Sequence, residues 1–298
     1  MHASGCHITV CICTLRRPEL LKRLLKHLKH QKTGGEFTFS VVVADNDAGG
    51  TARKVVEEFS ATAPVPVIYC IEPRRNIAHC RNRALENATG NYVAFIDDDE
   101  FPISTWLSML VKACSESGAD GVLGPVRPHF DERPPPWIIR GGFCERAEHK
   151  TGTVMSWDRC RTGNVLFQRS ILKGLTRPFN PEFGTGGEDK DFFMRLTQSG
   201  RVFIWCNEAA VYETVPPSRW KRSYMLKRAL LRGKNIIKHP TGKVEAIARS
   251  VAAVPLYISV LPFLILFGQH RFMKYCIKLC DHLGRLLALA GLNPVSDR

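Results

Sequence analysis

At 298 residues the chain is long enough for one full core, or one core with an appendage. Hydrophobic residues make up 44% and charged residues 23%, which excludes global disorder. The net charge of +14 is concentrated at one end: residues 215–298 hold 15 Lys/Arg against 3 Asp/Glu, a net of +12. Such a field attracts nucleic acid, anionic lipid headgroups or a diphosphate, with a solvated basic face as the plain alternative.

The 11 cysteines are odd in number and contain no Cys-x-x-Cys pair. Cys276 and Cys280 share a helical face, yet no further ligands complete a zinc site. Reduced thiols on a cytosolic face are expected. Met1–Val10 has neither a basic nor a long apolar stretch, so no secretory signal is expected.

In chain order, ITVCIC (8–13) reads as a buried strand, and Pro18 opens a helix over 19–30 with a leucine stripe. The strand FTFSVVVA (37–44) runs into Asp45-Asn46-Asp47 and two glycines. A helix (51–60), a strand (66–71), a helix (77–88), the strand NYVAFI (91–96), a helix (103–117) and a strand near 120–123 follow. Strands spaced by helical patterns of this length imply parallel βαβ units. Ligands bind beyond the carboxyl ends of such strands, where Thr14–Arg17, Asp45–Asp47 and Asp97–Asp99 all fall.

From Pro125 the rhythm breaks, Pro134–Pro136 forming a stiff loop and a helix returning near 190–198. Residues 219–239 read as a basic helix. Val251–Gly268 then runs 18 residues without a charge, the lower limit for crossing a bilayer, with Pro255 and Pro262 expected to kink it. Lys243 and Arg249 precede it, and Arg271, Lys274 and Lys278 follow, which favours a kinked or re-entrant segment with both ends cytoplasmic. The alternative is a buried core helix. A chain ended near His239 is expected to be soluble.

Three clusters carry chemistry. Asp97-Asp98-Asp99 follows a buried strand, and three carboxylates repel one another unless a cation joins them. If the strand alternation continues, Asp97 and Asp99 face one ligand, and hard oxygens suit Mg²⁺ or Mn²⁺. Gly186-Gly187-Glu188-Asp189 opens a helix with an acidic pair, which the helix dipole also favours without any function. Arg74 to Arg83 crowds cations near a helix start, which is costly unless an anion compensates; a solvated face is the alternative.

Taken in order, Thr14, Asp45, His79-Cys80-Arg81-Asn82, Asp97-Asp98-Asp99, Thr162-Gly163-Asn164 and Glu188-Asp189 resemble glycosyltransferase family 2 over residues 7–235. These are inverting enzymes of the GT-A fold, an α/β architecture with a Rossmann-like, mostly parallel sheet flanked by helices. The likeness is greatest to bacterial succinoglycan-type exopolysaccharide glycosyltransferases. The resemblance implies a donor site of Thr14, Arg16, Asp45, Asp47, Arg81, Asp97, Asp98, Gly163, Asn164 and Arg219. It implies Mn²⁺ or Mg²⁺ on Asp97 and Asp99, and Asp189 as catalytic base beside Glu188. Where the family often has a metal- or phosphate-binding His, this chain has Glu213; Arg219, Arg228 or His239 could serve instead.

The expected layout is a nucleotide-sugar-binding half (1–125), an acceptor-binding and catalytic half (126–240) and C-terminal membrane-associated helices (241–298). The expected partners are a UDP-sugar and a lipid-linked saccharide at the cytoplasmic face of a bacterial inner membrane, and no nucleic acid. A nucleotidyltransferase would also use carboxylates and a metal, but Thr14–Pro18 lacks the glycines of its phosphate loop. A nucleic-acid-binding protein would account for the charge but not for the adjoining apolar run. A catalytically silent scaffold has no reason to keep these acids.

Overall fold

The computed structural model describes residues 5–184, 186–236 and 243–292. Two compact units divide the chain: residues 1–129 with 146–214, and residues 130–145 with 215–298. This cuts differently from the sequence-based halves, because the segment 130–145 leaves the first unit and residues 146–214 return to it.

The first unit begins with β1 (His7–Thr14), buried on both faces as its unbroken β-branched run requires. Helix α1 (Pro18–Leu28) buries Leu21, Leu24, Leu25 and Leu28, the expected stripe. Then come β2 (Thr38–Asp45), α2 (Arg53–Ser60), β3 (Val67–Ile71), α3 (Ile77–Glu86) and β4 (Tyr92–Ile96). After the acidic turn follow β5 (Glu100–Pro102), α4 (Trp106–Ser117), β6 (Gly121–Leu123) and β7 (Val126–His129).

Helix α5 (Pro136–Gly141) belongs to the second unit, and the chain returns to the first with β8 (Asn164–Gln168) and α6 (Glu188–Gln198). Strands β9 (Phe203–Trp205) and β10 (Val211–Thr214) complete it. The main sheet has the order β3-β2-β1-β4-β8-β6-β9. β1 to β4 pair in parallel, but β8 is antiparallel to both β4 and β6. A parallel strand needs a crossover on one face. β8 instead arrives after a long irregular excursion, which sequence periodicity did not resolve. A second sheet, β5-β10-β7, sits at the carboxyl end of β4 through the turn that starts β5.

The second unit contains α5, α7 (Arg222–Ile236), α8 (Lys243–Leu264) and α9 (Gln269–Leu289). α7 and α9 cross on glycines: a Cβ on Gly233 would lie 2.1 Å from the Asp281 carbonyl oxygen, and one on Gly284 would lie 2.2 Å from that of Leu230. Arg232 clamps Asp281 with two bonds of 2.8 and 2.5 Å at the same crossing. α8 continues through Pro255 and Pro262, the two positions expected to kink it. Each proline removes one N–H donor, and the bonds around it are enough to continue the helix. The core-helix alternative fails, because only 6% of the 18-residue apolar window within Ile247–Phe267 is buried.

Candidate active site

The site lies at the carboxyl ends of β1, β2 and β4. β4 stops at Ile96, and a turn closed by Glu100 N–H to the Asp97 carbonyl (3.1 Å) carries the three aspartates. Strand alternation therefore does not continue through them, and each meets a different surrounding. Asp98 turns toward β1, accepting from Thr14 Oγ1 at 2.8 Å and Arg17 at 3.0 Å. The same guanidinium reaches Asp99 at 3.3 Å. Asp97, with 44% of its side chain exposed, lies 3.8 Å from Arg81. Desolvation lifts the Asp98 carboxyl to about 6, with Arg17 opposing and Asp99 adding to the rise. Asp97 is also raised, by desolvation first, with Arg81 pulling it down and Asp99 pushing it up.

Arg17 was not among the expected site residues, although it stands in the first loop. Its neighbour Arg16 adopts φ 53 and pairs with Asp47 at 2.9 Å. This confirms only that the two approach each other across the β1 and β2 loops.

Asp45, the acid that the resemblance sets at the nucleotide base, ends β2. It is wholly buried, and its oxygens accept from the N–H of Asp47 (3.0 Å), the N–H of Ala52 (2.8 Å) and Tyr69 Oη (2.8 Å). In this arrangement it shapes the loop after β2. Asn46 continues the tie: its amide donates to the Glu72 and Arg74 carbonyls and accepts from Asn76 N–H. Asn76 then caps α3, accepting from the N–H groups of Ala78 and His79.

α3 delivers Arg81 into the interior, where it is paired with Glu188 at the start of α6; the exposures are 8% and 7%. Burial opposes the Arg81 charge, but Glu188 and Asp97 outweigh it and hold its pKa above the usual value. Desolvation raises Glu188, with Arg81 opposing. One Glu188 oxygen, Oε2, is buried without a partner. Phe179 supports the Arg81 guanidinium, 5.6 Å from its ring centre, and is fixed by two hydrogen bonds to Asn82. Asp189 is half-buried and accepts from Lys190 N–H at 2.8 Å. Of the acidic pair, Glu188 is thus the structural partner of Arg81, while Asp189 sits at the positive end of a helix.

Glu213 explains itself in the second sheet. It stands in register opposite Glu100 on β5 and accepts from Arg146 at 2.5 Å. Burial works against the Arg146 charge, but Glu213, Glu100 and Asp97 together raise its pKa. Glu100 is 1% exposed and its Oε1 has no partner; desolvation and Asp97 hold its carboxyl well above the usual range. A fourth acid in the run Asp-Asp-Asp-Glu was a visible signal for it. Arg146 lay in a stretch without periodicity and gave none.

Gly163 lets these acids come close to the backbone: a Cβ there would lie 2.7 Å from Glu100 Oε1 and 3.1 Å from Asp97 Oδ2. Asn164, expected on the donor side, begins β8. Its Nδ2 donates to the Pro125 and Ala209 carbonyls, and its Oδ1 accepts from Trp106 Nε1 at 2.8 Å. That amide is spent holding β8 to its neighbours. Arg219 lies on the turn Pro217–Trp220 of the second unit, Arg228 donates to Tyr224 Oη within α7, and His239 lies outside the described residues.

The donor set suits a hard divalent cation, with carboxylates from one turn and an orphaned buried oxygen on Glu100. Among the described residues, no three His, Cys, Asp or Glu side chains are already gathered as a metal cage. Arg17, Arg81 and Arg146 hold the acids' counter-charge instead.

Residues 9–176 match the family model for glycosyl transferase family 2. The chain is 37% identical over 300 residues to the succinoglycan biosynthesis protein ExoM of Rhizobium meliloti (strain 1021), spanning 98% of this chain and 95% of that protein. A chondroitin synthase of Escherichia coli is 27% identical, over 71% of this chain and 35% of its own length. Among solved structures, the mannosyltransferase PcManGT of Pyrobaculum calidifontis, in complex with GDP-Man and Mn²⁺, aligns with a TM-score of 0.62 at 18% identity, covering 94% of this chain and 86% of that one. S. aureus TarS 1–349 aligns with a TM-score of 0.57 at 16% identity, covering 97% and 93%. The chain belongs to glycosyl transferase family 2, has the GT-A fold, and is a nucleotide-sugar-dependent glycosyltransferase. The nucleotidyltransferase, nucleic-acid-binding and scaffold readings give way to this one.

Proposed function

We propose that the enzyme moves a sugar, with inversion, from a nucleotide diphosphate to a hydroxyl of a lipid-linked saccharide during assembly of a bacterial exopolysaccharide. The observation that carries this reading is the buried Arg81–Glu188 pair. It joins the helix of Arg81 to the first turn of the helix that carries Asp189, with Asp97 beside it. The donor is proposed to be a UDP-sugar. ExoM, by its name, acts in succinoglycan biosynthesis, which supports the acceptor class.

Asp189 takes the proton of the attacking hydroxyl. Glu188 holds Arg81 toward the leaving diphosphate, whose negative charge grows in the transition state. Asp97 and Asp99, with Glu100 next to them, would hold Mn²⁺ or Mg²⁺, which supplies Lewis-acid stabilisation of that charge. Arg16 and Asp47 line the nucleotide side, and Thr14 and Arg17 keep Asp98 in place. Arg219 is proposed as a phosphate contact.

The basic C-terminal unit, with its exposed apolar helix, supports a location at the cytoplasmic face of the inner membrane. A donor screen with the purified full chain and Mn²⁺ or Mg²⁺, scored by nucleotide diphosphate release, tests the activity. Release of pyrophosphate in place of a transferred sugar contradicts it. Recovery of the full chain in the membrane pellet tests the location; a wholly soluble chain at low salt overturns it.

A further inference from the structure

Helix α8 has two apolar sides where a surface helix has one. Its less exposed stripe runs through Ser250, Val254, Tyr257, Leu261 and Leu264, at the spacing of a packed face. Ser250 bonds His282 at 3.0 Å, and the Tyr257 ring lies 5.7 Å from Tyr275 and 5.6 Å from His282, so α9 runs back alongside α8. The opposite side is also apolar and stands open: Leu256 is 60% and Phe263 65% exposed, and Leu266, in the turn that follows, 83%. From Val251 to Phe267 no charge interrupts it. A continuous apolar strip of this length marks a contact with something apolar.

The cations of α9 decide how that contact is made. Arg271, Lys274 and Lys278 are all exposed and fall on one stripe, at i, i+3 and i+7. Arg271 lies 5.9 Å from the Phe267 ring, at the tip of the hairpin. Lys278 lies 5.3 Å from the Tyr275 ring, which itself packs on Tyr257, the midpoint of the apolar span Ile247–Phe267. The basic stripe therefore runs beside the apolar helix from its end to its middle. Were α8 to cross a bilayer, Lys278 would stand level with the centre of the hydrocarbon, the costliest depth for a charge. α9 cannot simply be left behind, because its glycine crossing and the Arg232–Asp281 clamp fix it to α7.

We infer that α8 does not span: it lies in the plane of one leaflet, its open face among the upper acyl chains, while Arg271, Lys274 and Lys278 hold the phosphates of anionic phospholipids along its flank. This rests on the membrane placement proposed above and specifies its topology and its lipid chemistry. Such a geometry is that of a monotopic helix, with apolar burial and headgroup attraction acting together. At the tip of the hairpin, Trp137 and Arg140 of α5 line a cavity of about 580 Å³ with Leu266 and His270. Ile139 beside them is 51% exposed. An indole, a guanidinium and an exposed aliphatic side chain are what a protein presents at the headgroup boundary.

Depth measurement on the full chain tests this. Six native cysteines keep partial exposure and are first replaced by serine, after which a nitroxide can be directed to Val251→Cys, Leu256→Cys and Phe263→Cys in turn. The outer two positions are separated by about 18 Å along the helix. Bound to vesicles of phosphatidylglycerol and phosphatidylethanolamine, the three labels are expected at one shallow depth, within a few Å of one another. Depths that differ by about 15 Å or more, as a crossing helix of this rise requires, overturn the in-plane geometry.

In a second arm, the triple variant Arg271→Gln, Lys274→Gln, Lys278→Gln is expected to lose on the order of 100-fold in affinity for the phosphatidylglycerol vesicles. Its binding to phosphatidylcholine vesicles and its circular dichroism should stay unchanged. Undiminished binding to phosphatidylglycerol vesicles overturns the headgroup assignment. No vesicle binding by the unmodified chain, or α8 faces closed on each other in a stable dimer, overturns the membrane reading itself.

Discussion

Arg146 donates to Glu213 at 2.5 Å, and Glu213 stands opposite Glu100 across the β5–β10 pair. The position where the family often carries a histidine thus holds the counter-charge of an arginine. The Arg146 charge in turn acts on Asp97, an expected cation ligand, and on Glu100 near it.

Breaking this pair from one side should cost stability. Glu213→Gln is expected to lower unfolding free energy by about 1–3 kcal/mol, less than a fully buried pair because Arg146 remains partly exposed. The double variant Arg146→Met, Glu213→Gln should recover part of the loss. Urea melts of the four chains measure the coupling; strict additivity would show that the pair does not act as a unit.

Glu188 and Asp189 should separate cleanly. Glu188→Gln leaves Arg81 buried without its partner and is expected to destabilise the fold by about 3–5 kcal/mol. Asp189→Asn should melt like the unmodified protein and still bind donor, while turnover falls by about 10²–10⁴-fold. Donor titration beside single-turnover rates checks this. Loss of donor binding in Asp189→Asn would make it a donor-site residue.

The cation assignment predicts that excess chelator abolishes turnover and that Mn²⁺ or Mg²⁺ restores it. Asp99→Asn should be inactive yet folded, since Asp98 still pairs with Arg17. Full turnover in chelator would remove the cation from the account.

His7 offers a pH test of the fold. Its ring lies between Thr38 Oγ1 at 2.8 Å and Ser40 Oγ at 2.9 Å, tying β1 to β2, and burial holds its pKa below the usual value. The unfolded chain therefore takes up this proton at a higher pH than the folded chain. His7 favours folding above the unfolded value near 6.5, and that contribution is lost as pH falls through the depressed folded value. His7→Asn should flatten this part of the stability profile. An unchanged profile would show that His7 does not titrate on unfolding.

Much of this was legible in the chain. The leucine stripe of α1 and the valine run of β2 have single periods, so their structure follows from local pattern. Thr14, Asp45 and Asp97 fall at strand ends, and Arg81 and Glu188, on two helices, are partners 107 positions apart. Pairing at such distance is invisible to periodicity, as were the antiparallel β8 and the place of Arg146. Asp45 and Asn164 were recognised as motif residues, but their hydrogen bonds run inward, which only tertiary packing could tell. The soluble form ending near His239 is no longer expected: it would strip α7 of the α9 surface that Gly233 and Gly284 bring into contact.

The most direct test is the anomeric outcome of one turnover. The full chain, held in lipid with Mn²⁺ and a UDP-sugar, should release UDP and join the sugar to a lipid-linked acceptor with its anomeric configuration inverted, and Asp189→Asn should do neither at a comparable rate. A product with retained configuration, or full transfer by Asp189→Asn, would contradict the single displacement assisted by that carboxylate.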